Sequence, residues 1–314
     1  MAVDTDQRRT EFEATLGRAA DAHRLEAGEA VRHASLWRDA LQRFTANRAA
    51  VAAAIAFLVL VAYVVFVPIF DSIDPYAIDF AHAYQSPSWA HPLGTDIFGR
   101  DLFVRAALGG RVSIGIGFVA TFAIMGAGIL YGATAGFLGG WVDNALMRFL
   151  DALYGLPYLP FAILTLAIFQ TVNFWTMVIA LTIASWFTTA RVIRGQIITL
   201  KQNDYVRAAH ASGARWYRIL FRHLMPNTLG ILIVFVFLEL PGVVLGEAFL
   251  SFIGLGINPP QASWGTLALD GYDAYQTHPY IIVIPSIAIM WLILTAFFVA
   301  DGLRDALDPR TREH

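Results

Sequence analysis

Long uncharged stretches alternate with polar ones along this chain. Ala49 to Phe70 is 22 residues without a charged side chain, Val112 to Val142 is 31, and Ala152 to Ala190 is 39. A helix as long as the last stretch would measure about 58 Å at roughly 1.5 Å per residue, whereas the hydrocarbon core of a bilayer is about 30 Å thick. This stretch therefore predicts two membrane crossings, and the polar Gln170–Asn173 is the natural reversal between them.

Two further stretches complete the pattern. Leu224 to Phe249 is interrupted only by Glu239 and Glu247, and Ala274 to Ala300 carries no charged residue. The sequence thus predicts an all-α integral membrane protein with six transmembrane helices. Its composition, 57% hydrophobic and 15% charged, is far from that of a soluble domain. Pro157, near the start of the third span, predicts either a kink or the beginning of the helix there.

The flanks of the six-span region divide the chain into three parts. Residues 1–48 are expected to form a cytoplasmic N-terminal tail, 49–303 the membrane domain and 304–314 a cytoplasmic C-terminal tail. Residues 71–110 are the largest segment predicted on the other side. From Ser35 onward, apolar residues recur at helical spacing among arginines, which is typical of an interfacial helix, although a plain flank of the first span fits equally well. These apolar positions are Leu36, Trp37, Leu41 and Phe44.

Positive charge is distributed very unevenly. With six spans, both termini share one side of the membrane. Nineteen of the 22 Lys and Arg residues then lie on that side, and only Arg100, Arg105 and Arg111 lie on the other. Because loops rich in Lys and Arg stay in the cytoplasm, both termini are expected there.

Sequence signals for catalysis and for cofactor binding are missing. Lys201 is the only lysine and follows no glycine-rich loop, so the phosphate-binding motif of ATPases cannot form. Gly115–Ala120 matches the dinucleotide fingerprint, but it lies in an uncharged span without a preceding strand, which favours membrane packing. The chain has no HExxH motif, no GxSxG motif and no cysteine. We therefore predict no catalytic residue, no metal ligand and no cofactor bound by this chain.

Two features inside the spans concern packing and transport. Gly128, Gly132 and Gly136 lie four residues apart, and such a stripe lets a neighbouring backbone approach closely in lipid. Glu239 and Glu247 are acidic residues within a span, where ionisable groups are rare and often functional. Both are candidates for the lining of a transport pathway, and a hydrogen bond to another span is the alternative for each.

The segment from Asp204 to Asn227 is basic and helix-prone and lies between two hydrophobic stretches. Asp204 is predicted to cap a helix over Tyr205–Ser212, and Gly213 to end it in the left-handed conformation. A second, amphipathic helix is predicted over Arg215–Leu224. A stop-transfer cluster of arginines would explain the charges, but it would not explain two helices broken at a glycine. The segment therefore predicts a docking surface for a cytoplasmic partner.

These residues resemble the coupling loop of binding-protein-dependent ABC importer permeases, which would span 196–226 here. Its pattern of Glu-Ala-Ala, Gly and Leu-Pro is matched by Arg207-Ala208-Ala209, Gly213 and Met225-Pro226. Arg207 and Met225 depart from the glutamate and the leucine of that pattern. Further motifs are similar to the C-type permease of the dipeptide/oligopeptide/nickel subfamily, in the right order across about residues 35–310: His91–Asp96, Gly99–Asp101, Gly110–Ser113, Ser251–Gly256, Pro259–Pro260, Ser263–Gly265 and Asp301–Pro309.

The resemblance implies a type I ABC importer permease that forms half of the translocation pathway of an ATP-driven importer of di- or oligopeptides. It implies a bacterial or archaeal cytoplasmic (inner) membrane, a homologous second permease, two ABC ATPase subunits that hold ATP and magnesium, and an extracytoplasmic solute-binding protein. No nucleic acid is expected as a partner. The residues expected to couple to the ATPases are Asp204, Tyr205, Arg207, Ala208, Ala209, Gly213, Ala214, Arg215 and Arg218.

Three alternatives stay open at this point. The same type of transporter serves nickel and other small solutes. A secondary transporter or channel working alone would need coupling acids or a polar pore lining, and would not need a basic pair of cytoplasmic helices. A membrane scaffold without a transport role is the third.

Overall fold

In the computed structural model, residues 36–71 and 73–307 are described, and their regular structure is helical. The helices are α1 (Leu36–Ala46), α2 (Arg48–Phe70), α3 (Leu102–Leu138), α4 (Gly140–Tyr154), α5 (Tyr158–Phe169), α6 (Phe174–Leu200), α7 (Asp204–Ala211), α8 (Trp216–Ile219), α9 (Met225–Leu250), α10 (Trp264–Asp273) and α11 (Tyr280–Leu307). Within these residues no strand is present, which confirms the all-α prediction. Residues 1–35, which contain most of the predicted N-terminal tail, and 308–314 lie outside the described part.

Among the described residues, five helices are long and apolar enough to cross a membrane: α2, α3, α6, Thr228–Leu255, which overlaps most of α9, and α11. A sixth crossing is formed only if α4 and α5 count together, and these two helices meet at an angle of 89°. The third crossing is therefore a broken pair and not one straight helix. Alone, α5 has 12 residues and is about 18 Å long, too short for the hydrocarbon core. A helix begins directly after Pro157, which is one of the two alternatives that the sequence left open there, and the break predicted at 170–173 is confirmed.

The direction of α3 and α6 shows why the broken pair counts as a crossing. Gly115 in the first half of α3 faces Phe174 at the start of α6, and Gly136 near the end of α3 faces Ile197 near the end of α6. The two helices therefore run parallel. Residues 139–173 must return the chain from one end of the bundle to the other, and α4 and α5 do this together.

The predicted glycine stripe of α3 forms the contact with α6. A Cβ atom at Gly128 would stand 2.7 Å from Thr189, and one at Gly136 would stand 2.8 Å from the carbonyl oxygen of Arg194. At Gly132 a Cβ atom would collide with the carbonyl group of Ala190. Because backbones this close leave no room for side chains, glycine is required along this face of α3.

Several helix boundaries differ from the sequence prediction. The second span begins at Leu102 and not at Val112, because the Asp101 side chain accepts a hydrogen bond from the backbone N–H of Val104 (2.9 Å) and caps the helix. The segment outside the bundle is therefore 71–101 and not 71–110. The last span runs from Tyr280 to Leu307, and so continues past the boundary predicted at residue 303.

Two short helices close the bundle at opposite ends. α10 folds back between the spans: Trp264 is fully buried, and its indole N–H donates to the carbonyl oxygen of Ala106 (2.9 Å). At the other end, α1 packs against α11, where the Phe44 ring lies against Gly302 and Ala40 is buried. Leu41 is 63% exposed. The prediction that α1 lies on a membrane surface stays a prediction.

Candidate functional site: a two-helix element and buried acids

Gly213 separates α7 from α8 and adopts the left-handed conformation that the sequence predicts, with φ of +75°. The N–H of Ala214 donates to the carbonyl oxygen of Ala209 (3.2 Å), which is the long hydrogen bond of a Schellman motif. Ala209 and Ala214 both pack against the same hydrophobic cluster, and this contact commonly accompanies the motif. A Cβ atom at Gly213 would meet nothing within 4 Å, so glycine is needed there for its conformation and not for space.

Two details of this element correct the sequence prediction. Asp204 is the first residue of α7 and not its cap, because the N–H of Arg207 bonds to the carbonyl oxygen of Asn203 (3.3 Å). The second helix also does not end at Leu224. It continues from α8 through one widened turn, Leu220–Leu224, into α9. Pro226 follows this turn; proline lacks an N–H donor and crowds the preceding turn, and a widened turn relieves both conflicts.

The inner face of the two-helix element is anchored to the ends of the spans. Val206, Ile219 and Leu224 are buried in a cluster with Met125 of α3 and Ile197 of α6. Helices this short are marginal alone, so the cluster provides most of what holds them in place. The element is therefore joined to α3 and α6 through packed side chains and to α9 through continuous backbone.

The opposite face of the element projects from the bundle. Its exposed residues include most of the predicted coupling residues: Asp204, Tyr205, Arg207, Ala208, Arg215 and Arg218. Trp216 and Tyr217 are also on this face, 50% and 43% exposed, and neither was singled out from the sequence. Large aromatic residues and arginine are the side chains that most often dominate protein interfaces. A partially exposed Trp-Tyr pair within a basic helix is the signal that would have found them.

Two of the arginines counted on the cytoplasmic side form ion pairs within the chain. Arg194 of α6 forms two hydrogen bonds with Asp143 of α4, at 2.5 and 2.6 Å. Arg191 donates to Asp151, also on α4, at 2.8 Å. These pairs hold the broken third crossing against α6. The positive charge available to a partner is therefore carried by the residues that follow α6 and not by α6 itself.

Glu247 is fully buried among hydroxyl groups near the 71–101 end of the bundle. Ser113 of α3 donates to one carboxyl oxygen (2.8 Å), and Ser251 donates to the other (2.7 Å). The Ser113 hydroxyl in turn accepts from the backbone N–H of Trp264 (3.0 Å). The sequence left two roles open for Glu247, a place in the pathway lining or a hydrogen bond to another span. In this conformation the hydrogen-bonding role describes it, because its hydrogen bonds link α3, α9 and α10 and it lies away from every accessible surface.

Glu239 has a different environment. It is half-buried in the middle of α9 and lies close enough to Tyr158 of α5 for an electrostatic interaction. The Tyr158 hydroxyl is buried, and the Ser185 side chain is a polar group beside it. Unlike Glu247, Glu239 is not fully buried, and its place in a pathway lining stays a prediction.

Comparisons with known proteins identify the family to which this chain belongs. Residues 128–313 match the family of inner membrane components of binding-protein-dependent transport systems, and residues 35–87 match the N-terminal transmembrane domain of oligopeptide transport permease C. The chain is 38% identical over 302 residues to the oligopeptide transport system permease protein OppC of Bacillus subtilis (strain 168), which covers 96% of this chain and 97% of that protein. It is 38% identical to OppC of Escherichia coli (strain K12), covering 88% and 92%. With the dipeptide permease DppC of Bacillus subtilis it shares 37% identity, covering 88% and 87%. The chain therefore belongs to the family of inner membrane permeases of binding-protein-dependent transport systems, in its oligopeptide permease C branch.

Proposed function

We propose that this chain forms half of the translocation pathway of an ATP-driven importer of di- or oligopeptides. Its relatives are named oligopeptide and dipeptide permeases, which supports a peptide substrate. The other half is a homologous permease, and a solute-binding protein delivers the peptide from outside. ATP is hydrolysed by two separate ATPase subunits, so the chain itself is not an enzyme.

The observation that carries this proposal is the element formed by α7, Gly213 and α8. It is basic and projects from the bundle, yet its inner face is packed on α3 and α6. Closure of the ATPases would push this element as a rigid lever and tilt the spans joined to it. Arg207, Arg215 and Arg218 would contact acidic ATPase surface, and Ala208 would allow close approach.

The orientation of the chain is part of the proposal. The 201–215 end of the bundle is cytoplasmic and the 71–101 end faces outward, because 19 of 22 Lys and Arg residues then lie inside. Residues 1–48 and 304–314 flank the membrane domain in the cytoplasm. Single cysteines introduced at Ala83 and Gln261 should react with an impermeant maleimide in intact cells, and one at Gln202 should not. Labelling at Gln202 would overturn this topology.

Reconstitution tests the transport function. The purified chain alone in liposomes should show neither ATP hydrolysis nor peptide uptake driven by a proton or sodium gradient. Adding the partner permease, two ATPases and a binding protein should give both ATP hydrolysis and uptake. Gradient-driven uptake by the lone chain would identify a secondary transporter instead. ATP-driven uptake of nickel chelates without peptide uptake would show that nickel, and not a peptide, is the substrate.

A further inference from the structure

A cavity of about 370 Å³ opens at the 71–101 end of the bundle. The loop 256–262, between α9 and α10, lines one side together with Asp270 of α10. The lining also includes Arg100 and Arg105, which are two of the three Lys and Arg residues expected outside the membrane. Cavities of a few hundred cubic ångströms with a few convergent polar groups are typical binding sites for small molecules.

The two arginines are more buried than charged side chains usually are. The Arg105 side chain is 5% exposed and that of Arg100 is 13% exposed. Burial of a guanidinium group is costly unless hydrogen bonds satisfy its donors. The Arg105 Nε lies 3.3 Å from a carboxyl oxygen of Asp96, but it makes no hydrogen bond within the described part of the chain.

The acids beside the arginines leave donors free. Asp96 already accepts from the backbone N–H groups of Phe98 and Arg100 and from the Arg100 Nε (2.7 Å). Asp270 lies 3.9 Å from the Nη2 atoms of both arginines, which exceeds hydrogen-bond length. Its side chain is 41% exposed, and burial raises its pKa although the two arginines oppose that rise. The Asp96 carboxylate thus lies beside the Nε atoms of both arginines, whereas their Nη2 atoms face Asp270 without a hydrogen-bonded carboxylate among the described residues.

We propose that Arg100 and Arg105 bind a carboxylate group of the transported solute, which on the function proposed above is the C-terminal carboxylate of a short peptide. Planar guanidinium groups match a carboxylate geometrically, and desolvation strengthens the attraction. Asp270 is the internal competitor for the same donors. Its 3.9 Å contact with both arginines is longer than a hydrogen bond, so an incoming carboxylate can compete with it.

A labelling experiment tests binding without relying on transport. The chain has no cysteine, so Gln261→Cys places a single thiol at the cavity of the full-length chain in nanodiscs. Alanyl-alanine at millimolar concentration should slow maleimide labelling several-fold, and alanyl-alanine amide should not. Adding Arg100→Gln should abolish the protection, and Asp270→Asn should increase it. Arg111→Gln is the matched control: Arg111 lies outside the cavity, donates to the Val65 carbonyl oxygen and should leave the protection unchanged.

Equal protection by the acid and the amide would overturn the proposal, and so would no protection by either. Loss of protection in Arg111→Gln would overturn it as well, since the effect would then be one of net charge. Size-exclusion chromatography of each variant shows that it is folded.

Uptake by the reconstituted transporter gives a second measurement. The ratio of free-acid to amide uptake, with the same binding protein throughout, should fall about tenfold in Arg100→Gln and rise in Asp270→Asn. An unchanged ratio with lower uptake of both peptides would contradict a carboxylate site and assign Arg100 a purely structural role. If the unaltered transporter takes up no peptide at all, the function proposed above fails, while the labelling result still decides whether the cavity binds a carboxylate.

Discussion

The contact between α3 and α6 is fully packed within this chain, whereas the α7–α8 element is packed on one face only. Between α3 and α6, Gly132 touches backbone directly and no further atom fits. On the α7–α8 element, Trp216, Tyr217 and several arginines face outward without a covering surface among the described residues. The first region needs nothing beyond this chain. The second has one packed face and one face suited to a partner.

Glycine has a different role in each of the two regions. In α3 it brings two parallel spans into backbone contact. Gly213 instead bends the chain, because its left-handed conformation makes a turn where a straight helix would otherwise continue. The same residue type thus tightens one region and bends the other, and substitutions at the two sites should have different effects.

The largest effect is expected from Gly132→Leu. The new side chain would collide with the Ala190 carbonyl group and force α3 and α6 apart. We expect a loss of about 3 kcal/mol or more, seen as reduced yield and a much lower melting temperature in detergent. Gly126→Leu is the control on the same helix, because a Cβ atom there meets nothing within 4 Å. Equal stability of the two variants would mean that α3 and α6 are not in close contact.

The ion pairs of the broken third crossing should show the next largest effect. Arg194→Gln leaves Asp143, 12% exposed, without its cationic partner, which we expect to cost about 1–3 kcal/mol. Arg191→Gln removes a similar contact to Asp151, but both partners there are about half exposed, so less than about 1 kcal/mol is expected. Thermal unfolding of the purified variants measures the difference. If both variants lose the same stability, the burial of Asp143 does not make its ion pair with Arg194 stronger than the exposed pair.

The spans could be predicted from the sequence because their lengths follow from the thickness of a bilayer. The glycine stripe and the turn at Gly213 could be predicted because each depends on local backbone sterics. The break between α4 and α5 could not, since a hydrophobic stretch shows neither the direction of a helix nor where it bends. Pro157 marked the place without deciding between a kink and a helix start.

The buried pairs at the candidate sites were beyond local reasoning for a different reason. Asp143 meets Arg194 across 51 positions of the chain, and Ser113 meets Glu247 across 134. Single-sequence periodicity contains no information about such contacts. From the sequence, Arg194 was therefore only one of the expected cytoplasmic charges, and Glu247 looked like a candidate for the pathway.

A moderate and more selective effect is expected from Gly213→Val. The side chain meets no atom within 4 Å, so only the strain of a positive φ, about 1–2 kcal/mol, opposes it. The membrane domain should insert and unfold normally, while copurification of the ATPases and stimulated ATP hydrolysis should fall several-fold. Gly195→Val, at an open position on the exposed face of α6, should preserve both. A Gly213→Val transporter with normal assembly and hydrolysis would show that the turn is dispensable for coupling.

The smallest effect should come from single charges on the outward face of the element. Arg215 and Arg218 are exposed, so each Arg→Gln change should weaken ATPase binding only about two- to fivefold at low salt. The difference from the unaltered chain should shrink at high salt, since the Debye length falls from about 10 Å at 0.1 M to about 3 Å at 1 M. Arg148→Gln removes an exposed charge from α4 at the same end of the bundle and should leave binding unchanged. If Arg148→Gln weakens binding as much as Arg218→Gln does, the attraction depends on the net charge of that end. An effect confined to Arg215 and Arg218 would instead locate the ATPase contact on the face that this chain leaves uncovered.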